Sequence, residues 1–301
     1  MIDFTPCPRN KFKAYGGANG NKINITYEEQ SYMLKFSPKA SKNKAMSYAN
    51  SCVSEHIACR IFESLGFNAQ ETILGTYTTG EQGEFLDRRK VHTVVACKDF
   101  ETADMKLMEF AQLKNTCVDS LQGGYGTELN SVLKAIYEQE LVPSFELETF
   151  FWDMFIVDAL LGNFDRHNGN WGILVDEKNK SAEIAPIYDC GSCLYPQIMP
   201  TDMERILKDQ SEIDKRIFVY PTSMIKEENK KLNYFDYISS HENADCTKAL
   251  IRIAKKIDMK KIDEIINQTP SISSIQKEFY KAMIRKRKDR IIDFSLEKMT
   301  R

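Results

Sequence analysis

No segment of this 301-residue chain approaches the ~20 consecutive apolar residues of a membrane span. The opening MIDFTPCPRNKFK has no apolar run behind its basic residues, so a secretory signal peptide is not expected. Charge of one sign is lacking too. Lys+Arg 41 against Asp+Glu 43 leaves a formal net charge of -2, which gives no global attraction to nucleic acid or an anionic membrane. His56, His92, His167 and His241 fall in no metal-ligand spacing. Cys190 and Cys193 form a CxxC with no second pair to complete a zinc site, so a metal or redox role is the minority reading. The other cysteines (Cys7, Cys52, Cys59, Cys97, Cys117, Cys246) are scattered, and a chain of this length needs no stapling. Repeats and low-complexity tracts are absent.

What is present is material for a real core: 42% hydrophobic and 28% charged residues, in a length that suits two lobes sharing a cleft. Lys22–Tyr27 and Ser31–Phe36 read as strands around a turn at Glu28–Gln30. Ala49–Leu65 reads as a helix, with Val53, Ile57, Ile61 and Leu65 four apart and Gly66 as its stop. Strands at Glu71–Tyr77 and His92–Ala96 flank a polar loop, Thr78–Lys90. From about Thr102 the character turns helical. Glu146–Leu161 is apolar nearly all round, as expected of a helix buried in a core, and Gly162 ends it. The tail, Ala244–Met299, reads as helices with a turn near Pro270. The expected fold class is α+β and two-lobed: a β-rich lobe over residues 1–100 and a helical lobe over 101–301.

The informative stretch is LLGNFDRHNGNWGILVDEKNKSAEIAPIYDCG, residues 160–191. Asp165 follows the buried helix, and Asn170 lies five residues on. Trp171–Val175 and Glu183–Tyr188 read as a hairpin. A register pairing 171 with 188 and 175 with 184 also sets Asn170 beside Asp189. A carboxylate and an amide oxygen side by side suit a hard divalent cation such as Mg2+, which completes its shell with water and substrate phosphates. Asp165, in the preceding loop, then stands where a base would orient an attacking hydroxyl, the division of labour of protein-kinase catalysis. An isolated DxxxxN is more often an Asx-rich turn. The helix before it and the hairpin after it favour the catalytic reading.

Four further parts of an ATP site appear upstream in order. Gly16-Gly17-Ala18-Asn19-Gly20-Asn21-Lys22 suits a loop whose backbone N–H groups approach phosphates, although a flexible hairpin is the commoner meaning of such a run. Lys35 interrupts an apolar strand, an odd place for a charge unless it is paired; the bland alternative is an edge lysine reaching solvent. Glu55, on the following helix, could hold it or be an ordinary solvated glutamate. Val94–Phe100 ends the last strand where a hinge between lobes belongs, or is simply an edge strand.

These residues resemble the HipA-like serine/threonine kinases, through GNFDRHNGNWG (162–172), IAPIYDCGS (184–192) and SEHIACRIFESLGF (54–67). Within that family the similarity to a small bacterial cell-translocating kinase runs nearly end to end. The resemblance implies a two-lobed kinase-like fold and ATP- and Mg2+-dependent phosphorylation of protein serine or threonine, the kinase itself included. It assigns catalytic roles to Asp165, Lys35 and Glu55, makes His167 a support of the catalytic loop, and gives Mg2+ to Asn170 and Asp189. The loop Gly16–Lys22 and Lys35 would hold the nucleotide, with Lys98 and Phe100 offering hinge backbone to adenine. Two departures weaken the expectation of a HipB-type antitoxin partner and of inhibition by loop phosphorylation. HipA-type toxins carry an additional N-terminal subdomain, and Gly17 stands where they carry an autophosphorylated serine. The implied setting is a bacterial cytoplasm, with delivery into a host cell as effector or toxin left open.

Two other readings stay open: a small-molecule phosphotransferase of aminoglycoside type, which shares the Asp, Asn and Asp logic, and a nucleotide-binding module without turnover. Carboxylates at both Asp165 and Asp189 count against the last. The basic run Arg285-Lys286-Arg287-Lys288 with Arg290 reads as a solvated helix face.

Overall fold

The computed structural model describes residues 1–13, 22–37, 48–80, 89–118 and 122–299. Strands β1 (Ile2–Asp3), β2 (Arg9–Asn10), β3 (Lys22–Tyr27), β4 (Gln30–Phe36), β5 (Thr72–Thr79) and β6 (Lys90–Lys98) form one sheet in the order β1-β5-β6-β4-β3-β2. Neighbours are antiparallel except β1 beside β5. Glu28 and Glu29, at φ 47° and 62°, turn β3 into β4. Two residues at positive φ make the mirror-image turn whose twist matches the strands it joins.

Side chains alternate across the sheet, and that alternation decides where Lys35 goes. Tyr32 and Leu34 of β4 join Val94 and Ala96 of β6 in one core with Phe4 and Ile25. Met33, Val95 and Cys97 face the other way, onto Cys52 of helix α1 (Ser51–Ser64). Lys35 shares this second face. Because β4 lies inside the sheet, between β3 and β6, no solvent edge is open to the lysine. Helix α1 buries Val53, Ile57 and Ile61 as their spacing predicts, Leu65 just past its end is buried too, and Gly66 follows at φ 90°.

Beyond β6, strand β7 (Met105–Glu109) corrects the expectation of helix from Thr102 onward. The five residues carry little pattern of their own and become a strand by pairing with β8 (Gly172–Asp176), far downstream. That strand also pairs with β9 (Ser181–Ile184). Helices α2 (Phe110–Cys117), α3 (Leu129–Glu138) and α4 (Ser144–Leu161) follow β7. Helix α4 is the axis of this region: Leu147 and every residue from Phe151 to Leu161 are buried. Trp152 packs edge-on to Phe151 and Phe155, and Phe110 stacks on Trp171 at 3.9 Å. Gly162 ends α4 in the left-handed conformation, φ 65°.

The remaining helices are α5 (Pro200–Leu207), α6 (Gln210–Asp214), α7 (Tyr234–Ser240), α8 (Ala244–Ala254), α9 (Met259–Gln268), α10 (Ser274–Arg287) and α11 (Phe294–Met299). A short hairpin, β10 (Lys226–Glu227) with β11 (Lys230–Lys231), precedes α7. The basic run at the end of α10 is not uniformly solvated. Arg285 is exposed and pairs with Asp263, but Arg287 is 1% exposed and donates to the Ala159 carbonyl of α4. Successive helical residues step ~100° around the axis, so a run of four cannot all face water. No helix among the described residues is long and apolar enough to cross a membrane.

One titration follows from the packing of α1 on β5. His56 Nδ1 lies 3.0 Å from Thr72 Oγ1, and burial, aided by the Arg60 charge, pushes its pKa from 6.5 to about 4. The folded protein keeps this ring neutral while the unfolded chain protonates it below 6.5. His56 therefore withdraws stability as pH falls from 6.5 to about 4, by at most about 1.4 kcal/mol per pH unit. Denaturant melts at about pH 7.5 and pH 5 should show a smaller acid loss for His56→Gln than for the wild type. Equal losses would show that His56 does not titrate in this way.

Candidate active site

Lys35 is 9% exposed, and its Nζ lies 3.1 Å from Glu55 Oε1 and 3.0 Å from Asp189 Oδ1. Strand β4, helix α1 and the segment after β9 thus meet at one ammonium. Burial opposes the charge on Lys35, but Asp189 and Glu55 outweigh it and hold the lysine protonated well above its ordinary range. Burial also works against the Asp189 carboxylate; the Lys35 charge overcomes it and brings the pKa to about 2. Glu55, 2% exposed, is pushed up by burial against the pull of Lys35. Its Oε1 also accepts the Cys190 backbone N–H at 3.1 Å. Gly191 follows, and a Cβ there would make a tight 3.2 Å contact with Glu55 Oε2. Asp189 itself sits at φ 55°, the left-handed region, where L-residues are uncommon.

The catalytic-loop candidates lie across a cavity of about 600 Å³ that Lys35, Glu55, Asp165, Asn170 and Asp189 all line. The Asn170 side-chain NH2 donates to the Asp165 carbonyl at 2.8 Å. A carbonyl only accepts, so this bond settles the amide orientation and turns Oδ1 away as a free-standing acceptor. Burial raises the Asp165 pKa, with the Asp189 charge adding to it and His167 opposing. His167 Nδ1 accepts the Gly169 N–H at 3.0 Å, which places the proton of a neutral ring on Nε2. Its ring stands edge-on to Tyr125 at 6.4 Å.

The hairpin does form, but in another register. Ile173 faces Ile184 and Asp176 faces Ser181, two residues from the expected pairing. Asp176 decides this by accepting from both the backbone and the side chain of Asn179, which closes the turn early. Strand β9 then stops at Ile184, and Ile187 leaves to pair with Asn68–Gln70 instead. Cross-strand register is therefore not what brings Asn170 and Asp189 to one cavity. The Arg166 guanidinium spans the gap, donating from Nη1 to the carbonyls of Asn170 and Tyr188 at 2.7 Å each. Arg166 and Asp158, its buried carboxylate partner at 3.0 Å, were not singled out by sequence. The available signal was a carboxylate inside the apolar helix α4, which must find a partner when buried.

Of the expected nucleotide contacts, Lys22 and Phe100 line the cavity. Lys98 does not: its N–H donates to Glu71 O, and its carbonyl accepts from Gln70 Nε2. Asp99 and Glu101, on either side of Phe100, line the cavity instead. Gly16, Gly17, Ala18, Asn19, Gly20 and Asn21 lie outside the described residues. Among the described residues no group of three or more His, Cys, Asp or Glu could hold a metal by itself. Asn170 Oδ1 and the Asp189 carboxylate fit a hard cation that takes its other ligands from phosphate and water.

The triad makes a stability prediction. Lys35→Met leaves Glu55 and Asp189 facing each other without a counter-charge, and should lower unfolding stability at neutral pH by about 3 kcal/mol. Adding Glu55→Gln should restore part of that loss. A double-mutant cycle by denaturant unfolding measures it, and additive losses would show that the two side chains do not interact.

A model of the HipA-like C-terminal domain matches residues 11–273. The serine/threonine-protein kinase CtkA of Helicobacter pylori strain J99 is 49% identical over 293 residues, 97% of this chain and 86% of that protein. The crystal structure of the Helicobacter pylori proinflammatory kinase CtkA aligns with a TM-score of 0.90 at 47% identity, covering 100% of this chain and 98% of that one. A chain of the Shewanella oneidensis MR-1 complex of HipA, HipB and operator DNA aligns at TM-score 0.59 and 15% identity, covering 96% of this chain and 67% of that one. At that identity the likeness speaks for the fold alone. With the family match spanning most of the chain and the curated relative aligning along nearly all of it, this chain belongs to the HipA-like family and is a kinase.

Proposed function

We propose that this kinase transfers the γ-phosphate of ATP to serine or threonine hydroxyls of proteins, itself included, with Mg2+ as its cation. The observation that carries the reading is the meeting of Lys35, Glu55 and Asp189 on one wall of the cavity that Asp165 and Asn170 also line. The name of the Helicobacter relative supports the choice of acceptor.

Each residue has a task in that chemistry. Lys35, kept charged by its two carboxylates, offers its ammonium to the triphosphate. Asn170 Oδ1 and Asp189 would hold Mg2+, which when bound neutralises charge on the phosphates. Asp165 accepts the acceptor hydroxyl's proton as its oxygen bonds to the γ-phosphorus and the bond to the β-phosphate oxygen breaks. Burial, by raising the Asp165 pKa, makes it a better base than a solvated aspartate. Met33, Val95 and Phe100 supply the apolar wall that a planar base needs.

A transfer assay with γ-labelled ATP and Mg2+ tests the acceptor class. Label is expected on protein serine or threonine, including the kinase. Label found only on a small molecule would replace this reading with a small-molecule phosphotransferase, and no transfer at all would leave a nucleotide-binding module.

The central residues separate by role. In Asp189→Asn, Mg2+ should no longer tighten ATP binding. In Asp165→Asn, Mg-ATP affinity should stay near wild type while the transfer rate falls ~10²-fold or more. Calorimetric ATP titrations with and without Mg2+, run beside the transfer assay, measure both; the opposite pattern would reverse the two assignments.

A further inference from the structure

Arg166 carries five N–H donors, and the fold gives each an acceptor: Nε and one Nη2 hydrogen to the Asp158 carboxylate, the other to Cys190 Sγ, and both on Nη1 to the carbonyls of Asn170 and Tyr188. The side chain is 4% exposed and Asp158 is 1% exposed. Asp158 Oδ1 also accepts from Asn163 Nδ2 at 2.8 Å, and Asn163 Oδ1 in turn accepts the Asp165 backbone N–H at 3.0 Å. Tyr234 locks the same asparagine by donating to its carbonyl at 2.7 Å.

One carboxylate on helix α4 is therefore connected to Asp165 through Asn163, and through Arg166 to Asn170 and to Tyr188 and Cys190, the two residues that flank Asp189. Stability does not explain such a pair. Removing two buried charges together in favour of apolar side chains is often neutral or stabilising, so the pair is weak evidence for stability and its geometric role is the one to test. A lysine could not impose it, because a single ammonium lacks the planar fork that reaches a carboxylate on one side and two carbonyls on the other. The bonds to Asn170 and Tyr188 are made by backbone carbonyls whose residues are far apart in sequence and, given the observed hairpin register, not held together by strand pairing.

We propose that Asp158 and Arg166 are positioning residues of the phosphotransfer site, setting the separation between Asn170 and Asp189 and hence the fit of the cation between them. The proposal rests on the reading of those two residues as metal ligands. Neither Asp158 nor Arg166 lines the cavity, so both act through their neighbours.

The test is the Mg2+ dependence of transfer in Arg166→Lys, Asp158→Asn and the apolar pair Asp158→Leu/Arg166→Met, each checked by circular dichroism and thermal melting. All three should show Mg2+ half-saturation raised ~10-fold or more, the usual scale for losing an outer partner of a metal ligand, with ATP affinity in the absence of Mg2+ unchanged. Asp158→Glu should recover part of the loss. Wild-type Mg2+ half-saturation in any folded variant would overturn the proposal. So would failure of the apolar pair to fold, because the ion pair would then be needed for the fold itself. Asp189→Asn separates this from the underlying reading. If it alone leaves Mg2+ dependence unchanged, the metal-ligand assignment is wrong; if it abolishes that dependence while the clamp variants stay wild type, only the positioning role fails.

Discussion

One ammonium, on Lys35, holds three parts of this molecule in register. Its two carboxylate partners come from a helix of the β-rich region and from the segment that follows the β8–β9 hairpin, and all three line the same cavity. The arrangement is electrostatically costly, since each group is driven toward its neutral form by burial. It persists because two carboxylates share one cation and Glu55 also receives a backbone N–H from Cys190. In that segment Asp189 takes the left-handed backbone, and Gly191 lies close to α1, where a Cβ would meet Glu55 Oε2 at 3.2 Å.

Opposite the triad stands a rigid reference. From Phe151 to Leu161 helix α4 is buried and packed into the largest core cluster, which leaves it little freedom to shift. Its buried carboxylates are paired: Asp153 with Arg252 of α8, and Asp158 with Arg166 of the loop that carries Asp165. The loop consequently takes its position from the core, while the nucleotide side of the cavity takes its position from the sheet. A cleft assembled from a firm floor and a sheet-borne roof suits chemistry that depends on positioning and charge stabilisation with little covalent work by the protein.

Much of this was readable in the chain. The strands around Glu28–Glu29, the α1 stripe and the buried α4 all follow from local periodicity, and they appear where the pattern put them. The oddity of Lys35 within an apolar strand was also a valid signal, because a charge placed on a covered face has to be met by another. Strand β7 and the hairpin register were not legible. A strand as short as β7 is defined by its partner, and the register was decided by a side chain, Asp176, folding back on the turn. The run at the end of α10 misled for a related reason: composition shows that a segment is basic but not which of its residues turns inward.

By itself, then, the sequence determined the main strands and helices and which residues are candidates for the chemistry, because these depend on spacing along one chain. Tertiary structure alone decided how those residues are held. Whether Glu55 points at Lys35, whether Asn170 turns its oxygen outward, and what joins Asn170 to Asp189 are matters of contacts between segments up to 154 residues apart. No local pattern encodes them. Arg166 shows the reason most plainly: its neighbours in sequence say nothing of the five acceptors that the fold delivers to its donors.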